Sequence, residues 1–312
     1  MKVFKDANIS KKFQKSAIAI GNFDGVHVGH QKVFRYTKKI AKKNKIKFGV
    51  LTFTPLPIMF FNKKIKNFRL SSEDHKINIL KKNKVDFVIN IKFNKKFSQT
   101  SPENFIKKII YKKIKSKFLS VSNNFKFGKN RAGDVSLLKK YSTKFNYKLV
   151  NVKPYTRYKK IVSSTKIRKL LKNGKIELAN KLLSRTWFIE GQVVRGKKIG
   201  RKLGYRTCNI KIKKYILPRA GIYAVKVLIG SEKFFYNGIS YLGTRPTFEG
   251  KEIILETNIF DLNRNLYKKK LKIYFLKFLR KDQKFNNSQH LIRQMNKDVI
   301  SAKKGLKTKL IL

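Results

Sequence analysis

The stretch from Ala17 to His30, AIAIGNFDGVHVGH, constrains the fold of this chain more than any other. Four small apolar residues predict a buried strand, a glycine-bearing turn follows, and a helical pattern begins beside His27 and His30. A strand that enters a helix through such a turn directs backbone N–H groups and the helix dipole at one point, which favours phosphate binding. We expect both histidines on one helical face, and Gly29 leaves room for a ligand near the backbone. The alternative is that the histidines are solvated or pack locally, because H-x-G-H alone is a weak signal.

The composition indicates a soluble protein with one or two folded domains. A length of 312 residues and a hydrophobic content of 41% suffice for real cores. No run of 18 apolar residues occurs, and the opening residues MKVFKDANISKK lack the apolar core of a signal peptide. We therefore expect a cytoplasmic protein with no membrane partner. The single cysteine, Cys208, excludes an intramolecular disulfide and a cysteine-rich zinc site.

The formal charge of +61, from 77 basic and 16 acidic residues, favours contact with polyanions. The lysines are spread from Lys2 to Lys309 and form no tail or patch. A drift towards lysine on solvated faces explains this spread better than a dedicated nucleic-acid surface does. We expect nucleic acid to bind only non-specifically, through charge that salt screens, and we expect any homo-oligomer to be weak.

Strands and helices alternate in the first half of the chain. This alternation predicts a parallel sheet with helices on both faces, and ligands bind such sheets beyond the carboxyl ends of the strands. The predicted strands lie at 17–20, 46–53, 85–91, 118–122 and 147–152.

Two later segments of this half carry groups that suit a phosphate ligand. The loop 122–131, SNNFKFGKNR, follows a predicted strand and contains Asn124, although an ordinary surface loop is the better interpretation from spacing alone. The segment SSTKIR places Ser164, Thr165 and Arg168 at a helix start. Serine and threonine are common N-cap residues, and hydroxyls beside a cation at a helix N-terminus also suit triphosphate oxygens.

GNFDGVHVGH followed by SSTKIR resembles the nucleotidyltransferase superfamily, whose H-x-G-H and S-S-T-x-x-R motifs hold ATP. Class I aminoacyl-tRNA synthetases carry a related histidine motif, but this chain has no KMSKS-type signal. With FTPLP, RLSS and NNFKFG, the first half is similar to the FMN adenylyltransferase module of prokaryotic bifunctional riboflavin kinase/FAD synthetases. The resemblance implies a Rossmann-like nucleotidyltransferase sheet that joins FMN to the AMP part of ATP and releases FAD and pyrophosphate.

The pattern changes from Trp187 onward. Six antiparallel strands and one closing helix indicate a small β-barrel. We place the domain boundary so that the first domain is 1–184 and the second 185–312. The predicted barrel strands lie at 188–195, 207–212, 221–229, 234–242, 253–262 and 271–278, and the helix at 287–304.

The second half resembles riboflavin kinase, with matches in order along nearly its whole length. GKKIGRKLGYRTCNI fits the signature G-R-x-x-G-[FY]-P-T-A-N, except that Arg206 stands in place of proline and Cys208 in place of alanine. GTRPTF and LETNIFDLNRNLY fit further family strings, with Asn258 and Asn265 replacing a histidine and an aspartate. The resemblance implies that this half phosphorylates riboflavin with ATP.

In the kinase half, the resemblance assigns Glu256 as the base that takes the proton of the ribityl hydroxyl. It assigns Thr207 and Asn209 as ligands of Mg²⁺, which prefers oxygen donors. The residues expected around ATP are Gly196, Gly200, Arg201, Gly204 and Arg245.

In the adenylyltransferase half, the resemblance assigns His27 and His30 to the stabilisation of charge on the reacting phosphate. Asp24 is expected either to cap the helix or to help hold a metal. The other residues expected to bind nucleotide or flavin are Gly21, Phe23, Gly29, Asn124, Ser164, Thr165 and Arg168.

The departure at Arg206 leaves alternatives to a fully bifunctional enzyme. Proline would restrict φ near −65°, whereas arginine adds charge and freedom. We expect both activities, with Arg206 reaching a phosphate. The alternatives are an FAD synthetase with a weakened or inactive kinase module, and a basic nucleic-acid-binding protein on a nucleotidyltransferase-like fold.

Overall fold

A computed structural model describes residues 1–157, 160–196, 204–247, 250–306 and 309–311, with the backbone alone described at 245–247 and 250–252. The chain divides into two compact units. The first comprises Met1–Lys66 and Glu73–Ser163, and the second comprises Asn67–Ser72 and Ser164–Leu312. The predicted boundary between residues 184 and 185 separates the two expected activities, and it stays a prediction.

The first unit contains a six-stranded sheet in which every neighbouring pair is parallel, in the order β1-β4-β3-β2-β5-β6. The predicted parallel α/β class is therefore confirmed. The short β1 was not predicted, because three residues offer no periodicity to read. The strands are β1 Lys2–Phe4, β2 Ala17–Ile20, β3 Phe48–Thr54, β4 Phe87–Lys92, β5 Phe118–Ser122 and β6 Lys148–Val152.

Helices cover both faces of this sheet. Ala17 and Ala19 face one cluster of buried apolar side chains, which includes Phe34 and Leu80, while Ile18 and Ile20 face the other. The small alanines suit close approach of a helix to the sheet. The helices are α1 Val28–Lys43, α2 Pro57–Phe61, α3 Glu73–Lys82, α4 Lys95–Ser98, α5 Pro102–Asn104, which continues as a π-helix over Phe105–Ile114, and α6 Val135–Lys144.

The strand order reverses at β2. From β2 the chain builds outward through β3 and β4, and then returns to place β5 on the other side of β2. The crevice beyond the carboxyl ends of β2 and β5 is therefore the topological switch point, where open α/β sheets bind ligands. A two-stranded ribbon, β7 Thr156–Arg157 and β8 Lys160–Ile161, follows β6.

The second unit contains a closed antiparallel barrel in the order β10-β13-β12-β11-β14-β9. The predicted six-stranded barrel is confirmed. Its strands are β9 Phe188–Val194, β10 Thr207–Lys211, β11 Gly221–Ile229, β12 Tyr236–Thr247, β13 Gly250–Ile259 and β14 Lys270–Arg280.

Among the described residues of the second unit, three segments are helical: α7 Ser164–Lys172, α8 Ile176–Leu183 and α9 Ser288–Gly305. The predicted closing helix is α9. Its Ala302 packs in an apolar cluster with Ala224 and Leu276 of the barrel. The buried Asp298 accepts from Arg280 Nε at 2.8 Å and Nη2 at 2.7 Å, and so ties α9 to β14.

We predict that Asp298→Ala lowers the free energy of unfolding of the second unit by about 2 kcal/mol, because it removes hydrogen bonds to a charged group. Trp187, the single tryptophan, is fully buried in this unit, so its fluorescence during urea unfolding reports the loss. Lys297→Ala on the exposed side of α9 is the control and should stay within about 0.5 kcal/mol of the parent. Equal unfolding midpoints for the two variants would contradict the prediction.

Candidate active sites

The turn between β2 and α1 has an unusual backbone. Phe23, Gly25 and Val26 have φ values of 48°, 77° and 38°. Glycine adopts such values freely, but they are uncommon for phenylalanine and valine. Strained residues of this kind persist where the surroundings hold them, and they cluster at functional sites.

Packing of Phe23 holds part of this turn. Its ring lies 4.8 Å from the ring of Phe34 and 5.2 Å from that of His30. A Cβ on Gly21 would come within 3.0 Å of the Phe23 ring. Gly21 therefore creates the space in which Phe23 is buried, and Phe23 in turn supports His30.

The two histidines form a stacked pair at the N-terminus of α1. Their ring centroids lie 3.6 Å apart with an interplanar angle of 21°. His27 is the N-cap, and its Nδ1 accepts from the backbone N–H of His30 at 3.4 Å. A Cβ on Gly29 would lie 3.1 Å from the His27 ring and 3.3 Å from the carbonyl oxygen of Val162. Gly29 thus leaves space beside the His27 ring, a reason that the motif did not reveal.

Asp24 is buried in the same turn, with 4% of its surface exposed. The N-cap residue of α1 is His27, and a contribution of Asp24 to the capping of this helix stays a prediction. Within the described parts of the chain, no three His, Cys, Asp or Glu residues group in a way that would hold a metal ion. The role of Asp24 in metal binding stays a prediction.

The loop after β5 reaches the same edge of the sheet. Asn124 is exposed there, and its Oδ1 accepts from Ser122 Oγ at 2.9 Å. Phe125 and Phe127 stack at 5.5 Å behind it. Because β2 and β5 are parallel neighbours, this loop and the histidine turn both lie at the switch point, as the alternation predicted.

An aromatic cluster beyond the carboxyl ends of β3 and β4 was missed by the sequence analysis. Phe93 lies 5.3 Å from Phe60, 5.7 Å from Phe61 and 5.6 Å from Phe97, measured between ring centroids. Phe61 is 66% exposed. The run PIMFF, which begins at the second proline of FTPLP, was the available signal, since large apolar side chains rarely crowd an ordinary loop.

Ser164, Thr165 and Arg168 lie in the second unit, at the start of α7. The guanidinium of Arg168 lies 3.7 Å above the ring of Phe68, and its Nε donates to the Phe68 carbonyl at 2.9 Å. These contacts orient Arg168 at the first turn of the helix. That these residues share one site with the histidines of the first unit stays a prediction.

In the barrel, the strand register brings the predicted kinase residues together. Asn209 pairs with Glu256, and Thr207 with Asn258. Residues directly opposite each other, and residues two apart on one strand, share a face of the sheet. Thr207, Asn209, Glu256 and Asn258 therefore share one face, and hydroxyl, amide and carboxylate oxygens of this kind fit Mg²⁺.

Strand β13 lies between β10 and β12, and Glu256 pairs with Tyr241 of β12 as well as with Asn209 of β10. Burial raises the pKa of Tyr241 to about 12, with Asp282, to which its hydroxyl donates at 2.9 Å, as the next cause. A side chain on Gly243 would overlap the Tyr241 hydroxyl. Gly243 thus allows the tyrosine to lie along its own strand.

A cavity of about 440 Å³ opens beside this face. Its walls combine apolar side chains such as Val193 and Leu266 with amides and two arginines, and no Asp or Glu is among the described residues that line it. Arg264 forms an ion pair with Glu232 at 2.5 Å. Arg206 instead donates to the neutral Asn263. The cavity therefore suits an anion.

Two of the five remaining predicted kinase residues, Gly196 and Gly204, are fully described. A side chain on Gly196 would overlap the amide of Asn209 as it lies here, and Gly204 has φ 83°. Gly200 and Arg201 lie outside the described residues, as does the side chain of Arg245, whose backbone pairs with Glu252 in the barrel.

Family models match both halves. One described as FAD synthetase matches residues 9–166, and one described as riboflavin kinase matches residues 183–306. A curated bifunctional riboflavin kinase/FMN adenylyltransferase from Buchnera aphidicola subsp. Schizaphis graminum is 41% identical over 300 residues, or 95% of this chain and 96% of the relative. This chain belongs to the bifunctional riboflavin kinase/FMN adenylyltransferase family.

Other members of the family are similar along the same length. Those from Haemophilus influenzae and Escherichia coli K12 are 36% and 31% identical, each over 95% of this chain and over 96% and 95% of their own. Both family domains are present, which is consistent with FAD biosynthesis.

A crystal structure described as a macrolide-efflux protein from Streptococcus pneumoniae matches this member of the family with a TM-score of 0.86. The sequences are 27% identical, and the match covers 96% of this chain and 98% of that one. In the described part of the present chain, every helix is too short or too polar to cross a membrane.

We predict that the Cys208 thiol is almost unreactive in this protein. Burial raises its pKa to about 12, with the Glu256 carboxylate adding to the rise, and its Sγ donates to the Thr257 carbonyl at 3.3 Å. Because the thiolate is the reactive form, only about one ten-thousandth of the thiol reacts readily at pH 8. Labelling with a chromogenic disulfide should be slow in the native protein, faster above pH 10, and complete within minutes in denaturant. Complete labelling of the native protein within minutes at pH 8 would contradict this.

Proposed function

We propose that this chain makes FAD from riboflavin in two ATP-dependent steps. The barrel transfers the γ-phosphoryl group of ATP to riboflavin, and the sheet unit joins the resulting FMN to AMP with release of pyrophosphate. The observation that carries this proposal is that each half matches its own family domain while placing the expected polar groups together: the histidine pair at the switch point, and Glu256 beside Thr207 and Asn209.

For adenylylation, the FMN phosphate is already ionised, so the protein needs to align it and stabilise charge rather than supply a strong base. His27 and His30 act as donors to the α-phosphate, supported by the N-terminus of α1. Gly21, Phe23 and Gly29 shape this turn, and Asn124 contacts nucleotide or flavin. Ser164, Thr165 and Arg168 hold the triphosphate.

We place the flavin ring on the aromatic cluster of Phe60, Phe61 and Phe93. A flat isoalloxazine gains apolar contact and ring stacking on such a surface. The large exposed fraction of Phe61 supports this assignment, because contiguous exposed apolar side chains commonly mark binding sites.

For phosphorylation, Glu256 accepts the proton of the ribityl hydroxyl as the hydroxyl attacks the γ-phosphate. Thr207 and Asn209 are the residues that would hold Mg²⁺, which neutralises phosphate charge when bound. Gly196, Gly200, Arg201, Gly204 and Arg245 surround the phosphates of ATP.

Arg206 contributes a cation to the barrel cavity. Its backbone carbonyl accepts from Asn258 Nδ2 at 2.7 Å, and its guanidinium donates to Asn263. These two asparagines restrain the turn that a proline would otherwise restrict. The guanidinium is then available to pair with a nucleotide phosphate.

The proposal has three further parts. These are cytoplasmic placement, weak self-association, and contact with nucleic acid only through charge that salt screens.

We predict that His30→Ala abolishes FAD formation and spares FMN formation, and that Glu256→Gln does the reverse. The protein is incubated with riboflavin, ATP and Mg²⁺, and riboflavin, FMN and FAD are resolved by chromatography; Glu256→Gln is also supplied with FMN. The activity that each variant retains serves as the control that the variant is folded. Loss of both activities from each folded variant would overturn the site assignment, and FAD formation from FMN but not from riboflavin by the parent would overturn the kinase assignment.

We predict that Arg206→Gln raises KM for ATP in the kinase step about 10-fold, the loss expected for one hydrogen bond to a charged group. KM for riboflavin and the adenylylation of FMN should not change. Lys211→Gln, at the exposed far end of β10, the strand that directly follows Arg206, is the matched control. An unchanged KM for ATP in Arg206→Gln would show that Arg206 does not bind phosphate.

A further inference from the structure

Lys76 of α3 is buried, with 3% of its surface exposed. Lysine is almost never buried to this degree unless its ammonium group has polar partners. Here Nζ donates to Thr52 Oγ1 at 3.1 Å, and Thr52 Oγ1 donates to the carbonyl oxygen of Asn22 at 3.1 Å. Asn22 lies in the strained turn between β2 and α1. A buried cation is thus linked through one hydroxyl to the turn that carries the histidine pair.

Lys76 reaches Thr52 only if α3 lies close to β3, and hydrogen bonds hold α3 in that position. Asn90 Nδ2 donates to Glu73 Oε1 at 2.5 Å, and Thr54 Oγ1 donates to Asn90 Oδ1 at 2.9 Å. The first turn of α3 is therefore attached to Asn90 of β4 and, through it, to Thr54 at the end of β3. Thr52 is fully buried and points to the same side of β3 as Val50, the side that α3 covers.

The link has a geometric consequence for the turn. In a trans peptide the C=O and N–H groups point in opposite directions. Anchoring the Asn22 carbonyl towards Thr52 therefore directs the N–H of Phe23 away from Thr52, while φ of Phe23 is held at 48°. Hydrogen bonds that involve a charged donor are stronger than neutral ones, and a low-dielectric interior strengthens them further.

We propose that Lys76 is a positioning residue for the adenylylation step. Acting through Thr52 and Asn22, it keeps the β2–α1 turn in the conformation whose N–H groups meet the phosphates of ATP. It does not touch the substrate. This proposal rests on the adenylyltransferase activity proposed above for the same unit.

The test compares Thr52→Val, Thr52→Ser, Lys76→Met and the double variant Lys76→Met/Thr52→Val in the full chain. Serine keeps the linking hydroxyl, whereas valine keeps the shape of threonine without it. Lys81→Met, an exposed lysine on the same helix, is the control for loss of a positive charge. KM for ATP and kcat are measured for FAD formation from supplied FMN, and the kinase step is measured on the same preparations.

We expect Thr52→Val and Lys76→Met each to raise KM for ATP in adenylylation by about 10-fold or more, with kinase activity unchanged. Thr52→Ser and Lys81→Met should stay within about 2-fold of the parent. The double variant should be no worse than the poorer single one, because both substitutions break one link. A merely structural role would lower kcat with the folded fraction and leave KM unchanged.

The proposal is overturned if Lys76→Met or Thr52→Val keeps the parent KM for ATP, if Thr52→Ser loses as much as Thr52→Val, or if the two single effects multiply in the double variant. Should Lys76→Met fail to fold, Lys76→Gln takes its place, because glutamine keeps a donor near Thr52 and removes the charge; a KM for ATP equal to that of the parent in Lys76→Gln would then overturn the role of the buried cation. A parent protein that makes no FAD from FMN would instead overturn the proposed function, whereas an active parent with an equally active Thr52→Val overturns only the role of Lys76.

Discussion

The hydrogen bond from Thr52 to the Asn22 carbonyl is the contact on which the first site most depends. The turn after β2 places phenylalanine and valine at positive φ, a conformation that these residues do not keep without support. Support comes from two directions: the carbonyl is held towards β3, and the Phe23 ring is buried against Phe34 and His30. The stacked histidines at the start of α1 follow from that arrangement. The histidine pair thus depends on the buried Thr52 and Phe23.

The barrel reaches a comparable arrangement by different means. There the register of β10 against β13 places Asn209 opposite Glu256 and Thr207 opposite Asn258. A shift of one residue would move every one of these side chains to the other face. Glycines at 196 and 243 leave the space that the Asn209 amide and the Tyr241 ring occupy. The site therefore depends on strand pairing and on small residues beside large ones.

Much of both units was predictable because their signals are local. The strands at 17–20 and 118–122 are short apolar runs next to turn residues, and each lies where it was expected. Three features were missed for physical reasons. Strand β1 is too short to show a period, the PIMFF helix has no amphipathic pattern in five residues, and Lys76 looks like any other lysine in a chain with 77 basic residues. The burial of Lys76 depends on β3, more than twenty residues away along the chain.

By itself, the sequence determined the class of each unit, the order of the strands along the chain, and the family to which GNFDGVHVGH, SSTKIR and GYRTCN belong, because periodicity and motif spacing are properties of neighbouring residues. Only the tertiary structure showed what particular residues of the two sites contact. It showed that Gly29 makes room for His27, that Arg206 rather than Arg264 brings a cation without a paired carboxylate to the described cavity wall, and that a buried lysine stands behind the turn. Each of these depends on contacts between residues far apart in the chain, which form only when the strands pair and the helices pack.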